Sequence, residues 1–140
     1  MDDKKYIRRC FDLAMLGTGM ASPNPTVGAV VVYNDRIIGE GYHEKYGQAH
    51  AEVNAIKSVR AKDQPLLSKS TIYISLEPCC IHGNTPPCTD LIIKNKIPRV
   101  VFSSIDQTSG VKGKSITLLR AAGCEVITGV LEEMGNRIVS

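Results

Sequence analysis

Three of the chain's five cysteines lie in one short stretch, LEPCCIHGNTPPCTD (residues 76–90). Thiolates bind metal ions and act as nucleophiles, and pairs of thiols form disulfides. The stretch is therefore open to three interpretations: a disulfide, a structural zinc site, or part of a catalytic metal site. The odd number of cysteines argues against a complete disulfide framework.

Upstream of this stretch, His50 and Glu52 form a His-x-Glu triplet. Alone, the triplet is a weak signal, because it occurs often by chance at the start of surface helices. In a helix interior the two side chains would point about 200° apart, whereas at the first turn both can reach past the helix end. With Cys79 and Cys88, His50 makes one nitrogen and two sulfur ligands, the number typical of a catalytic zinc site. Glu52 then stays unligated and is placed to act as a base.

A structural zinc site would need a fourth protein ligand. His82 could supply it, whereas Cys80 would have to bend back sharply to share a metal with its neighbour Cys79. We interpret Cys80 as a packed small residue. Cys10, on the apolar stripe of a predicted helix, and Cys124, at the start of a predicted strand, are interpreted as core thiols.

The elements that must position these residues alternate between helices and strands. Apolar spacing predicts helices over 6–16, 49–60, 89–95, 114–122 and 131–139, and strands over 27–33, 36–42, 71–76, 99–103 and 124–128. The first two strands flank Asn34-Asp35, which predicts a hairpin. A hairpin followed by a βαβαβ pattern indicates an α/β fold, with a mixed sheet of about five strands and helices on both faces. Ligands in such folds bind at the carboxyl ends of strands, where the cysteine stretch begins.

The composition favours a small-molecule protein of one domain, over residues 1–140. A net charge of +3, no tryptophan and 5% aromatic residues argue against a nucleic-acid surface. The longest apolar run, 27–33, is too short to cross a membrane, and the N-terminus lacks the apolar stretch of a secretory signal. We therefore expect a cytoplasmic protein with no nucleic-acid or membrane partner.

Segments spread over nearly the whole chain resemble the zinc-dependent deaminase domain of the bifunctional riboflavin-biosynthesis enzymes, within the cytidine deaminase superfamily. They are NPTVGAVVV (24–32), HAEVNAI (50–56), LEPC (76–79), GNTPPCT (83–89) and GVLE (129–132). Zinc deaminases share His-x-Glu followed by Pro-Cys-x-x-Cys, and the longer interval from Cys79 to Cys88 is characteristic of this branch. The resemblance implies a three-layer α/β/α cytidine deaminase-like fold.

The resemblance also implies an activity, the hydrolytic deamination of 2,5-diamino-6-ribosylamino-4(3H)-pyrimidinone 5′-phosphate in riboflavin biosynthesis. By the resemblance, His50, Cys79 and Cys88 would bind Zn²⁺. Glu52 would take a proton from water and deliver it to the ring nitrogen and the departing amine. The substrate contacts that it implies are Asn24, His43 and Asp106.

Without the resemblance, each of these three contacts has a plainer interpretation. Asn24, between two prolines, would shape a turn, and His43 would be a surface residue. Asp106 would cap a turn equally well. The family also implies a homodimer or homotetramer. Its reductase domain has no counterpart in the 140 residues, so we expect no reductase activity and leave open a separate reductase as partner.

Three positions depart from the family's pattern. Ile81 replaces a histidine, with His82 one place later, and Asn84 replaces a basic residue. Thr108 replaces the asparagine of an Asp-Pro-Asn-Pro loop that begins here at Asp106. These positions are expected to contact the substrate, and the lost cation would pair with a phosphate, so His82 and Asn84 are further candidate contacts. The sequence thus leaves open a deaminase of another free base or nucleoside (cytosine, guanine or cytidine type), or a non-catalytic zinc-binding module.

Overall fold

A computed structural model describes residues 2–16, 27–43, 50–78, 88–105 and 113–134. Within these ranges the helices are α1 (Asp3–Leu16), α2 (Ala51–Ser58), α3 (Cys88–Lys94) and α4 (Lys114–Ala121). The strands are β1 (Gly28–Tyr33), β2 (Arg36–Tyr42), β3 (Thr71–Leu76), β4 (Arg99–Ser104) and β5 (Glu125–Ile127). A 3-10 helix, Ala61–Lys69, connects α2 to β3.

The strands form one mixed sheet in the order β2-β1-β3-β4-β5. β1 pairs antiparallel with both β2 and β3, whereas β3, β4 and β5 are parallel. The β1–β2 hairpin turns at Asn34 and Asp35, whose φ angles of 50° and 61° are those of a two-residue turn that follows the twist of the strands. The predicted hairpin and mixed five-stranded sheet are therefore confirmed.

Helices cover both faces of the sheet. The side chains of α1, including Ile7 and Phe11, pack against Val30 and Tyr73 on one face. On the other face, α2, α3 and α4 bury a larger cluster that includes Ile74 of β3 and its neighbours. Because both faces are covered, every residue of β3 is buried, including the polar residues Thr71 and Ser75.

Two glycines of β2 allow α2 to lie directly against the strand backbone. A Cβ atom at Gly39 would come within 2.5 Å of the Ala55 carbonyl oxygen, and one at Gly41 within 2.7 Å of the Ala51 oxygen. Main-chain atoms of Ala51 and Ala55 thus lie directly against β2, and the side chains of Ser58 and Val59 also face Gly39. The Asn54 side-chain amide also donates to the Tyr42 carbonyl at 2.8 Å. These contacts fix α2, and with it the residues at its first turn.

The structure corrects several element boundaries. The 3-10 helix was not predicted, because its polar residues and Pro65 follow neither the helical nor the strand period. The first helix begins three residues earlier than predicted, and β5 is shorter at both ends. Of the predicted helix over 131–139, the described part contains only a helical turn at residues 132–134.

The two cysteines interpreted as core thiols differ in burial. Cys10 is fully buried, and its thiol donates to the Tyr73 carbonyl at 3.3 Å. Cys124 lies directly before β5, is half-buried, and donates to the Ile97 carbonyl at 3.4 Å. Burial raises the pKa of both thiols. Neither is a reactive thiolate, which agrees with the structural roles predicted for them. None of the helices described here is long and apolar enough to span a membrane.

Candidate active site

Residues at the first turns of α2 and α3 meet at the carboxyl-end side of the sheet. His50 directly precedes α2 and Cys88 is the first residue of α3. Although they are 38 positions apart in the chain, the Cys88 Sγ atom lies 3.4 Å from the His50 Nδ1 atom. Cys88 is 1% exposed and His50 is half-buried, so the contact between them is partly buried.

The distance between these two atoms fits joint coordination of one zinc ion. In a tetrahedral site, a sulfur at about 2.3 Å and a nitrogen at about 2.0–2.1 Å from the metal lie about 3.5 Å apart. The observed separation of 3.4 Å matches this value without rearrangement. A thiolate and an imidazole are also ligands that zinc prefers. The third predicted ligand, Cys79, lies outside the described residues, and within those residues no three side chains form a metal-binding group.

Glu52 lies in the first turn of α2, two residues after His50. His50 has extended backbone angles (φ −71°, ψ 166°), and its carbonyl accepts the first hydrogen bond of the helix, from the Asn54 amide at 3.1 Å. The predicted helix start at the His-x-Glu triplet is therefore confirmed. The Glu52 side chain is 3% exposed, which is uncommon for a carboxylate without a specific role.

His43 is buried beside His50, and its interpretation as a surface residue is wrong. It is 4% exposed, and the two imidazole rings meet edge to face with centroids 5.3 Å apart. The reason is that its backbone amide donates to the Val27 carbonyl at 3.1 Å, which continues the β1–β2 pairing one residue beyond β2. This pairing draws His43 into the protein and against His50.

Three buried polar residues near the site were missed in the sequence. Glu77 directly follows β3 and accepts hydrogen bonds from the start of α4. The hydroxyls of Thr89 and Ser104 are buried, and neither has a hydrogen-bond partner among the described residues. The signal available in the sequence was their position, because Glu77 and Thr89 lie within the cysteine stretch and Ser104 directly follows a predicted strand.

The remaining predicted site residues lie outside the described residues. They are Asn24, Cys79, His82, Asn84 and Asp106. Of the predicted set, the structure thus brings together His50 and Cys88, with His43 against His50 and Glu52 in the adjacent turn.

The family described as the cytidine and deoxycytidylate deaminase zinc-binding region matches residues 1–104 of the chain. The diaminohydroxyphosphoribosylamino-pyrimidine deaminase of Buchnera aphidicola subsp. Schizaphis graminum is 44% identical over 137 residues, which cover 98% of this chain and 90% of that protein. The riboflavin biosynthesis protein RibD of Actinobacillus pleuropneumoniae is 48% identical over 133 residues, 95% of this chain and 34% of that protein. The chain thus spans only about a third of the length of such RibD relatives.

Solved structures show the same fold. The diaminohydroxyphosphoribosylaminopyrimidine deaminase/5-amino-6-(5-phosphoribosylamino)uracil reductase of Thermotoga maritima superposes with a TM-score of 0.90 at 45% identity, over 98% of this chain and 39% of that chain. Aspergillus oryzae Rib2 deaminase superposes with a TM-score of 0.75 at 24% identity, over 99% of this chain and 91% of that chain. The predicted three-layer α/β/α cytidine deaminase-like fold is confirmed.

Proposed function

The chain belongs to the cytidine and deoxycytidylate deaminase zinc-binding family, in the branch of the diaminohydroxyphosphoribosylamino-pyrimidine deaminases, and on this premise we propose that it is a hydrolytic deaminase of riboflavin biosynthesis. The substrate is 2,5-diamino-6-ribosylamino-4(3H)-pyrimidinone 5′-phosphate. The oxygen of water bonds to the ring carbon that carries the amine, the C–N bond breaks, and the nitrogen leaves as ammonia. The products are therefore the corresponding uracil and ammonia.

We assign His50, Cys79 and Cys88 as the ligands of one zinc ion. The observation that carries this assignment is the 3.4 Å separation of Cys88 Sγ and His50 Nδ1. Zinc held by these three residues would lower the pKa of a water molecule and so make water a nucleophile at neutral pH.

Glu52 is the acid and base of the proposed reaction. Its carboxylate takes a proton from the water molecule and delivers it to the ring nitrogen and to the departing amine. Its place beside His50, in the first turn of the helix, supports this role, because a non-ligand carboxylate must lie close to the metal to reach the water. Its burial supports the role further, since exclusion of bulk water keeps the proton between carboxylate and substrate.

His43, Asn24 and Asp106 are the proposed substrate contacts, with His82 and Asn84 as further candidates. For His43, burial and edge-to-face packing on His50 support a position in the pocket. The other four residues are assigned by sequence position. We further propose that the domain, residues 1–140, acts in the cytoplasm as a homodimer or homotetramer, and that reduction of the product requires a reductase beyond these residues.

Ammonia release from a panel of substrates tests this function. The panel comprises the ribotide, its dephosphorylated form, cytosine, cytidine and guanine, each with the Glu52→Gln protein as control for contaminating deaminases. We expect release from the ribotide, with a large loss of kcat/KM when the phosphate is removed. Release only from unphosphorylated compounds contradicts the assignment.

A second candidate, a deaminase of another base or nucleoside, is favoured by Ile81, Asn84 and Thr108, where the chain departs from its family. The lost cation at Asn84 removes a phosphate partner. Under this alternative, cytosine, cytidine or guanine is turned over and the ribotide is not. A non-catalytic zinc-binding module would release ammonia from none of the five compounds, although the buried Glu52 argues against it.

A further inference from the structure

We propose that Glu77 is a positioning residue that fixes the chain leading to Cys79 onto the amino end of α4. The inference rests on the proposed function, because it concerns a zinc ligand. Glu77 directly follows β3 and stands two residues before Cys79. Its side chain is 3% exposed, although glutamate is among the residues least often buried.

Both carboxylate oxygens of Glu77 accept hydrogen bonds from α4 and the residue before it. Gly113 N donates to Oε1 at 2.9 Å, and Ser115 N donates to Oε2 at 3.1 Å. The Ser115 hydroxyl donates to the same Oε2 at 2.6 Å. The first amides of a helix have no partner within the helix. Glu77 supplies that partner from a different element, and its negative charge suits the positive end of the helix dipole.

The cap has to come from another element because of the sequence at the start of α4. The residue before the helix is Gly113, which has a left-handed φ of 71° and no side chain that could cap the amides. Glu77 therefore takes the place of the serine, threonine or aspartate that usually precedes a helix. The position of α4 thus depends on the position of the end of β3.

The backbone of Glu77 also holds the end of the neighbouring strand. Its amide donates to the Ser104 carbonyl at 2.7 Å, one residue beyond the pairing of Leu76 with Ser104. Glu77 therefore contacts the chain both before and after residues 106–112, the segment that contains the proposed substrate contact Asp106. Glu77 therefore holds the chain just before the proposed zinc ligand Cys79. It also holds the residues on either side of the segment 106–112.

Glu77→Gln is the main test, because glutamine keeps the size of the side chain but places an NH₂ group against a backbone N–H donor. We expect the zinc dissociation constant, measured by competition with a chromogenic chelator, to rise about 10- to 100-fold, the range for residues that orient metal ligands. We also expect KM to rise more than kcat falls, because Glu52 is untouched. Ser115→Ala, which removes one of the three bonds, should change both quantities in the same direction by a smaller factor.

Asp3→Asn is the matched control. It removes a partly buried carboxylate that is hydrogen-bonded to Arg99, at the opposite end of β4 from Ser104. Its effect on zinc affinity and KM should be less than about twofold. The inference is overturned if the Glu77 and Ser115 variants match this control in zinc affinity and KM. If the wild-type protein binds zinc but deaminates nothing, the proposed function fails and the chelator measurement still decides the role of Glu77.

Discussion

The Sγ atom of Cys88 lies 3.4 Å from Nδ1 of His50, across the first turns of two helices. This relationship predicts that the two residues bind a metal ion. Purified protein should carry about one zinc ion per chain, and Cys88→Ala should lose nearly all of it, because two remaining ligands hold zinc weakly. Metal content by inductively coupled plasma mass spectrometry measures the effect.

Cys124→Ala is the matched control for this substitution. Its thiol is half-buried and donates to the Ile97 carbonyl, far from His50 in the chain. The control protein should keep the full zinc content of the wild type. Full zinc content in Cys88→Ala would refute the assignment of Cys88 as a ligand.

A substitution at Glu52 tests metal binding and turnover independently of each other. Glu52→Gln should retain zinc and lose about 10²–10⁴-fold in kcat, because an acid/base residue that is not a ligand is removed. Steady-state ammonia release and metal content, measured on the same preparation, give the two quantities. Glu40→Gln alters an exposed ion pair with Arg9 and should leave both unchanged. An active Glu52→Gln protein would exclude the proposed role.

The sequence was sufficient to predict in which order the α-helices and strands follow one another along the chain. The hairpin signal at Asn34-Asp35 and the apolar runs depend only on residues that are neighbours in the sequence. A single stretch of sequence is therefore enough to recognise each of them. The pairing of His50 with Cys88 was predictable because each residue stands at a helix start, and helix starts gather at the carboxyl ends of strands.

What could not be predicted depends on contacts between distant segments. His43 is buried because β1 pairs beyond the end of β2, and no local pattern reports such pairing. Glu77 caps α4 through Gly113 and Ser115, which stand 36 and 38 residues later in the chain. Gly39 and Gly41 need a hydrogen in place of a side chain only because α2 packs against them, and no local pattern in the sequence reports that need. Tertiary contact decided each of these three features.

Gly41 offers a test of how α2 is positioned. Gly41→Ala would place a methyl group within 2.7 Å of the Ala51 oxygen, so α2 must move away from β2. We expect the free energy of unfolding to fall by about 1–3 kcal/mol, as for other overpacked sites. We also expect zinc to bind more weakly, because His50 moves with the helix. Urea denaturation and chelator competition measure the two effects.

Gly123→Ala is the control for the loss of stability alone. Gly123 has a left-handed φ of 94°, and within the described parts of the chain no atom apart from its chain neighbours lies within 4 Å of an added methyl group. The substitution should cost about 1–2 kcal/mol through backbone strain and leave zinc affinity unchanged. Equal zinc affinities in the Gly41 and Gly123 variants would show that α2 does not depend on the close contact.

At the end of the sheet opposite His50 and Cys88, Asp3 of α1 forms hydrogen bonds with residues of β3 and β4. Arg99 donates to both oxygens of Asp3 at 2.9 Å, and the Tyr73 hydroxyl donates to one of them at 2.7 Å. Arg99 also forms an ion pair with Glu125, with 3.3 Å between Nε and Oε2. The hydrogen bond from Arg99, with a smaller contribution from Tyr73, holds the pKa of Asp3 below its ordinary value of 3.8.

This lowered pKa predicts a loss of stability in acid. A carboxyl with a lower pKa in the folded state stabilises the protein fully above its unfolded pKa of about 3.9, and this contribution disappears as the pH falls through the folded value. As the pH is lowered below about 4, the free energy of unfolding should therefore fall less in Asp3→Asn than in the wild type. Urea denaturation at a series of pH values measures this free energy. Asp12→Asn, which neutralises an exposed carboxylate of the same helix, should follow the wild type. Parallel curves for Asp3→Asn and the wild type would show that Asp3 contributes nothing to the acid dependence.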